Sequence, residues 1–570
     1  MIKIDGIEVA HEGEPNLLEL VRKVGINLPT FCYQPNLRAF GSCRMCIVHV
    51  EGRGIVPACS TAVTDGMVVT TMSKQLLTAR RTIIELLLAA HDQQCTTCPK
   101  SGGCKLQSIA KDLGVTKIRF PKDSNDSNSD RDSDRKDSTT PRANTFDDSS
   151  ASVVRDTGKC ILCGNCTRVC NEVQAVGALN FAYRGSNAKV LTEFNRDMGG
   201  TSCVNCGQCV KVCPTGALTI KTQIQGVIDA LADREKIVVV QVAPSVRVAL
   251  GEYFGLAAGT ASMPKIIAAL RRMGFDRVFD TSFAADLTIV EEGREFLKRF
   301  TSGGKLPLFT SCCPAWVKYA EQNYPEFLSN LSTCKSPQQM FGALLKDKLG
   351  RKTVVVSVMP CTAKKFEAQR PEHTRDIDFV ITTNELAEMI KMGGLDFARL
   401  PDADFDAPYG EATGAGYIFG ASGGVSEAVL RFAAHQLGAS GDDQNFTKFR
   451  GNDGVTTSEI RIGDTTLRLA VVSGLANAKT LMTKIKNGEE KYDIIEVMAC
   501  CGGCVNGGGQ PVGVTADAIK RRAEGLYTLD RASRTKAADE NSAIQELYRE
   551  ITDEKAHELF HTKYKNRKKK

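Results

Sequence analysis

Cysteine constrains this chain more than any other feature: 22 of its 570 residues are Cys, against a single Trp. Dense cysteine means either disulfides or metal, and disulfide-dense chains are usually short and secreted. This chain is long. Its opening, MIKIDGIEVAHEGEPNLLEL, has no basic stretch leading into an apolar core, so no secretory signal is expected. No uninterrupted apolar run reaches the length of a membrane span. Reduced thiols that bind metal are therefore expected. The formal net charge of +7 is mild for this length and gives no reason to expect nucleic acid as a partner.

The cysteines fall in groups. Cys160-x2-Cys163-x2-Cys166-x3-Cys170 is repeated as Cys203-x2-Cys206-x2-Cys209-x3-Cys213-Pro214. This resembles the bacterial two-cluster ferredoxin, in which each fourth Cys serves the other cluster. One cube is then expected on Cys160, Cys163, Cys166 and Cys213, and the other on Cys203, Cys206, Cys209 and Cys170. Cys32, Cys43, Cys46 and Cys59 form a second group that resembles a plant-type [2Fe–2S] ferredoxin, although its first spacing is ten residues rather than four. A structural zinc site is its alternative, but only one Cys-x2-Cys knuckle is present. His91, Cys95, Cys98 and Cys104 form a third group, suited to zinc as well as to [4Fe–4S]. His91 and Cys95 are four apart near the end of a helix expected over residues 75–90, so they are expected to share a face. A series of one-electron centres serves to carry electrons between a surface partner and a buried site.

From about residue 235 the texture becomes α/β. KIVVVQVAP, LPLFTSCCP, KTVVVSVMPC, LRLAVVSGLA and YDIIEVMACC are apolar runs of strand length, as in a largely parallel sheet buried on both faces. Cys312 and Cys313, Cys361, and Cys500, Cys501 and Cys504 each follow such a run. Ligands bind beyond the carboxyl ends of parallel strands, so three segments aim thiols at one crevice. Pro314 is placed to open a helix and bring its positive end near Cys312 and Cys313.

TSCCPAW (310–316), MPCTAKK (359–365) and EVMACCGGCVNGGGQP (496–511) resemble the three signature motifs of the [FeFe]-hydrogenases, the iron-only hydrogenases. EATGAGYIFGASGG (411–424) and KSPQQM (335–340) resemble further family segments, and the N-terminal cluster order is similar to that of the long, multi-cluster monomeric members. The resemblance implies reversible interconversion of protons, electrons and hydrogen at an H-cluster. That group is a [4Fe–4S] cube joined to a two-iron unit carrying CO, cyanide and an amine-containing dithiolate. Carried over, Cys313, Cys361, Cys500 and Cys504 ligate the cube, with Cys504 as the bridge. Cys312 remains a free thiol that passes protons to the amine, and Lys364 hydrogen-bonds a cyanide. Pro244 and Ser245 sit near the other cyanide, and Met359, Phe419 and Met498 pack around the two-iron unit. The implied proton relay runs from Arg299 and Glu295 through Ser332 and Glu292 to Cys312.

The expected fold is an α/β catalytic domain, largely parallel sheets flanked by helices, preceded by small α+β iron–sulfur domains. Its expected division is 1–75 for the [2Fe–2S] domain, 76–120 for the [4Fe–4S] domain with one His and three Cys, and 121–155 for a Ser/Asp-rich disordered linker. A two-[4Fe–4S] domain over 156–222, a catalytic domain over 223–515 and a C-terminal helical segment over 516–570, ending in a frayed basic tail, follow. One [2Fe–2S] and three accessory [4Fe–4S] clusters would accompany the H-cluster. Ferredoxin or a similar small carrier, together with hydrogenase maturation proteins, are the implied partners of a cytoplasmic monomer; an organelle such as the hydrogenosome is the alternative compartment.

Two other readings are a hydrogenase subunit of an NAD(P)H-linked flavin complex and a sensory or iron–sulfur-assembly relative. No GxGxxG fingerprint is present, so NAD(P)H chemistry would need a partner. Two positions depart from the family pattern: Cys501 stands where Pro is usual, and Cys334 where Ala is common. Cys501→Pro is expected to keep hydrogen turnover; loss of cluster iron from that variant would show that Cys501 has a structural role.

Overall fold

In the computed structural model, residues 1–120, 146–350, 352–373, 376–438, 446–450, 454–462, 465–513 and 515–568 are described. They form two compact units. The first comprises Met1–Glu172, Gly177–Thr201 and Val212–Thr219; the second comprises Val173–Val176, Ser202–Lys211 and Ile220–Lys570.

The first unit opens with a five-stranded sheet of β1 (Ile2–Ile4), β2 (Ile7–Val9), β3 (Ile47–Val50), β4 (Gly54–Pro57) and β5 (Val68–Thr70). The strand order is β2-β1-β5-β3-β4, with β1 and β5 parallel. Alternation places Ile2, Ile4, Val48, Val50 and Val69 on one face, over Leu17, Leu18, Leu20 and Val21 of the helix Leu17–Lys23. Asn16 caps that helix by accepting from the Glu19 amide at 3.1 Å. The helix Lys74–Ala90 follows, capped by Ser73, and its buried Arg80 donates to the carbonyls of Ile47 (2.6 Å) and Thr71 (2.9 Å). β6 (Phe146–Asp147), β7 (Val153–Asp156) and β10 (Leu218–Ile220) form a three-stranded sheet, and β8 (Leu179–Ala182) and β9 (Lys189–Thr192) pair as a hairpin. Of the expected linker, 121–145 lie outside the described residues. Its remainder, 146–155, is not linker-like: it supplies β6 and most of β7, whose pairing satisfies the backbone that a solvated linker would leave to water.

The second unit contains two four-stranded sheets. β11 (Val238–Val242), β12 (Arg277–Asp280), β14 (Val354–Met359) and β15 (Phe379–Thr382) form one, in the order β12-β11-β14-β15, with every pairing parallel. β13 (Leu308–Phe309), β16 (Val455–Ile462), β17 (Thr465–Ser473) and β18 (Ile494–Met498) form the other, in the order β13-β18-β17-β16. In it only β16 runs antiparallel, so this sheet is mixed. β11, β14 and β18 are buried along their whole length, which is why they read as near-continuous apolar runs, each broken by a single polar residue, Gln241, Ser357 and Glu496.

The buried helix Thr281–Thr301 leaves the end of β12, and Asp280 caps it by accepting from the Ser282 amide at 2.8 Å. Phe279, Phe283, Phe341 and Tyr409 form an aromatic cluster beside it, with the closest centroids 4.9 Å apart. The C-terminal helices are Ala516–Ala532, Ser542–Glu550 and Asp553–Phe560. The basic tail is not frayed as expected. Arg567 donates to the backbone oxygen of Glu321 and to its carboxylate at 2.9 Å each, and Tyr564 donates to the Ser332 carbonyl at 2.9 Å. Glu321 is fully buried, and its charge is shared between Arg370 and Arg567. Among the described residues no helix is long and apolar enough to cross a membrane.

Phe341→Ala should destabilise the second unit by about 3–5 kcal/mol, the cost of emptying a closely packed aromatic site. The check is a lowered midpoint of anaerobic guanidinium denaturation followed by far-UV circular dichroism.

Candidate functional site

Five strands of the two sheets of the second unit deliver their carboxyl ends to one place. β11 is followed by Pro244 and Ser245, β12 by Thr281, β13 by Cys312 and Cys313, β14 by Cys361, and β18 by Cys500 and Cys504. Pro244, Ser245, Thr281, Cys312, Gln338, Met359, Cys361, Lys364, Phe419, Met498 and Cys504 line one cavity. Cys313 and Cys500 lie behind its wall, close enough to Cys361 and Cys504 for the four thiols to sense one another's charge. Burial first, and this mutual repulsion second, push the Cys361, Cys500 and Cys504 thiols far above the ordinary range. Such a set cannot ionise together unless a cation replaces the protons.

The helix Pro314–Asn323 begins immediately after Cys313, which occupies its cap position. Lys364 Nζ donates to the Cys312 carbonyl at 3.1 Å and to Glu367 Oε2 at 2.9 Å. Burial lowers the affinity of that ammonium for its proton, but Glu367 outweighs it and holds Lys364 charged. An ammonium has three donors, so one remains for a ligand in the cavity. The Ser245 hydroxyl and Gln338 Oε1 line the same space and have no hydrogen-bond partner. Nearby loops approach by backbone: a Cβ on Gly507 would lie 2.3 Å from the Pro360 carbonyl oxygen, and one on Gly508 2.3 Å from that of Cys206. Four soft ligands, unsatisfied polar atoms and one spare cationic donor suit a cysteine-held cluster with anionic ligands.

Glu292 and Glu295 lie one turn apart on the helix Thr281–Thr301. Glu295 accepts from the Ser332 hydroxyl at 3.1 Å and pairs with Arg299. Arg299 and Glu295 are part-exposed, whereas Ser332, Glu292 and Cys312 are buried. Burial, opposed by the nearby Ser332 hydroxyl, pushes the Glu292 carboxyl up to about 8. Burial and then the charge of Glu292 push the Cys312 thiol far up, so it stays protonated.

In the first unit, Cys160, Cys163, Cys166 and Cys213 line one cavity. The duplicated runs have the same local backbone: Leu162 and Gly164 in one, and Asn205 and Gly207 in the other, have positive φ, which turns the chain around its thiols. Cys170 falls in the first unit, and Cys203, Cys206 and Cys209 in the second. In the second unit Gln208 Nε2 lies 3.1 Å from Cys500 Sγ.

Cys32, Cys43, Cys46 and Cys59 converge. The Phe31 amide donates to Cys43 Sγ at 3.4 Å and the Cys59 amide to Cys46 Sγ at 3.5 Å. Hydrogen bonds from Cys43 and Cys59 pull the Cys32 thiol down, and Cys59 pulls Cys46 down to about 7. Cys95 and Cys98 act electrostatically on Cys104. His91 is buried with Nδ1 unpartnered, as a ligand nitrogen would be. His91 and Cys95 do not share a helix face, however. The helix stops at Ala90, His91 is extended with ψ 142°, and Cys95 starts a separate 3-10 turn.

Sequence reasoning did not single out Gln208, Glu367, Thr281 or Gln338. Only Gln338 carried a signal, as part of KSPQQM.

Residues 236–508 match the C-terminal domain of the iron only hydrogenase large subunit, and 516–567 match the iron hydrogenase small subunit. Residues 1–74 match a 2Fe-2S iron-sulfur cluster binding domain, 80–119 the NADH-ubiquinone oxidoreductase-G iron-sulfur binding region, and 159–217 a 4Fe-4S dicluster domain. The NADP-reducing hydrogenase subunit HndD of Solidesulfovibrio fructosivorans is 46% identical, across 99% of this chain and 98% of its own length. Iron hydrogenase 1 of Clostridium pasteurianum is 38% identical, across 99% of each chain. A solved variant of the [FeFe]-hydrogenase HydA1 from Chlamydomonas reinhardtii superposes with a TM-score of 0.54 at 39% identity, covering 61% of this chain and 99% of the other. With its thiols gathered at the strand ends and its relatives matched from end to end, the chain belongs to the [FeFe]-hydrogenase family.

Proposed function

We propose that the chain catalyses 2 H⁺ + 2 e⁻ ⇌ H₂ at an H-cluster, with electrons passing through one [2Fe–2S] and three accessory [4Fe–4S] clusters to or from a ferredoxin-like carrier. The observation that carries this is the gathering of Cys312, Cys361, Cys504 and Lys364 around one largely apolar cavity, with Cys313 and Cys500 behind it. In this reading Cys313, Cys361, Cys500 and Cys504 would hold the iron–sulfur cube. When bound, the group supplies the open iron site at which hydrogen is split or formed. The ferredoxin subtypes, plant-type at the N-terminus and two-cluster after it, complete the same proposal.

The protein's own part is to hold ligands, exclude water and move protons. Cys312 stays protonated because burial disfavours its thiolate, so it relays by passing one proton on as it receives another. Glu292 takes that proton inward of Ser332; its raised affinity brings it near neutrality, where a carboxyl can both accept and release. Ser332 hands on to Glu295 over the 3.1 Å hydrogen bond, and Glu295 meets solvent beside Arg299. Lys364 fixes an anionic ligand with its third donor, and Pro244, Ser245, Met359, Phe419 and Met498 form the dry wall. A second reading for the electron partner, an NADP-linked assembly, is favoured by the relative HndD, whose name specifies NADP reduction.

Protein made anaerobically with the hydrogenase maturation machinery should evolve hydrogen from reduced methyl viologen, and protein made without it should not. Activity in neither, despite full iron and sulfide, would overturn the catalytic reading. Turnover with reduced ferredoxin at a rate close to that with methyl viologen would favour the first partner, and failure with ferredoxin would favour the second. Cys312→Ser should keep its iron yet lose turnover by about 10²–10⁴-fold, the weight of a positioned proton donor.

Glu292 also predicts a pH dependence of stability. It binds its proton more tightly folded than unfolded, so its contribution is fully present below about pH 4.5 and is lost as pH rises towards about 8. Denaturation midpoints should therefore fall less steeply across that window in Glu292→Gln, by up to about 1.4 kcal/mol per pH unit. Parallel curves would show that Glu292 ionises normally.

A further inference from the structure

At the solvent end of the proposed proton path the structure gathers a second set of metal-ligating groups. Glu295, Cys334 and His561 each offer one ligand atom, and these atoms all lie within 4.8 Å of one another. Backbone pairing brings them together. Cys334 and His561 face each other across an antiparallel bridge, flanked by Lys335 N–H to the Phe560 carbonyl (2.7 Å) and Thr562 N–H to the Thr333 carbonyl (2.8 Å). Directly opposed residues in such a pair have adjacent side chains. Glu295 reaches the same point from its helix: the Cys334 thiol donates to its Oε2 at 3.7 Å, and the Thr333 hydroxyl at 3.1 Å.

We propose that Glu295, Cys334 and His561 form a binding site for a zinc-class divalent ion. The ligand set is one thiolate, one imidazole and one carboxylate, the types zinc takes, with a fourth position left for water or the Thr333 hydroxyl. Tetrahedral zinc with bonds of about 2.0–2.3 Å holds its ligands about 3.3–3.5 Å apart, so the cluster must contract by little more than 1 Å. The surroundings are those of a built site. His561 Nε2 lies 2.9 Å from Glu291 Oε2, while Nδ1 faces the Thr333 hydroxyl at 2.8 Å. A histidine that binds metal through one nitrogen commonly donates its other N–H to a carboxylate. Glu291 is itself held by Tyr548 and by Arg294. Arg299 engages Glu295 Oε1 and leaves Oε2 directed inward. Cys334 is fully buried, whereas Glu295 and His561 side chains each keep 13% of their surface exposed, so an ion can reach the site from one side.

A consequence rests on the relay reading. An ion on Glu295 Oε2 displaces the hydrogen bond from Ser332, so occupancy closes the proton entrance and slows turnover in both directions. No electron transfer at the ion is involved; Cys334 gives up its thiol proton to solvent and becomes a ligand.

The test uses matured holoenzyme under strict anaerobiosis, with zinc chloride as the probe. Equilibrium dialysis should find one exchangeable zinc per chain, and the zinc X-ray absorption edge should report one sulfur with nitrogen and oxygen neighbours. Cys334→Ala and His561→Gln lie on separate segments, and each should weaken zinc binding at least about tenfold. The zinc concentration that halves hydrogen evolution should rise in step, with each variant measured against its own zinc-free rate and iron content. Equal binding in all three proteins, or an edge without sulfur, would overturn the site. Zinc bound with the expected shell and lost in both variants, but without effect on turnover, would uphold the site and instead remove Glu295 from the proton path.

Discussion

The structure of the second unit is governed by the electrostatics of buried sulfur. Thiols packed together without solvent hold their protons, and only a metal of matching softness converts them into ligands. Gathering four of them needs backbone that can present side chains from distant parts of the sequence at one point, and the carboxyl ends of parallel strands do this. β13 and β18 belong to one sheet and β14 to the other, so the thiols tie together two sheets that otherwise have separate strand orders. The apolar strands, the aromatic cluster beside β12 and the charged pair of Lys364 and Glu367 are the packing needed to keep that point dry.

Dryness opposes proton supply, and the helix Thr281–Thr301 is where the two demands meet. One turn separates Glu292, sealed in the core, from Glu295, which touches solvent beside Arg299. The same helix also carries Glu291, whose partners come from the C-terminal segment. A single rigid element thus spans the boundary between core and solvent: burial raises the proton affinity of Glu292, whereas at Glu291 burial is outweighed by hydrogen bonds to His561 and Tyr548.

Much of this is legible in the sequence. The strands that carry the thiols are largely apolar runs, and the repeated cysteine spacing encodes a repeated backbone, down to positive φ at Leu162 and Asn205. What cannot be read there depends on pairing across long separations. β12 and β15 are only four residues long, and their amphipathic neighbours hide them. β16 alternates, but it pairs only with β17. His91 and Cys95 fit a helical period, yet the backbone turns at Ala90, and nothing local in the sequence marks that stop. The docking of Tyr564 and Arg567 depends on Ser332 and Glu321, more than 200 residues away, and a basic tail gives no local sign of it.

The glycines after Cys504 carry a consequence for inheritance. Gly507 and Gly508 face backbone oxygen at 2.3 Å, and Gly509 faces the Thr382 side chain at 2.6 Å, measured from where a first side-chain carbon would stand. Glycine can change only by gaining atoms, and here each gain meets main chain or a buried neighbour. Every missense substitution in these codons therefore forces main chain or a buried neighbour to move, and the segment drifts most easily through silent changes.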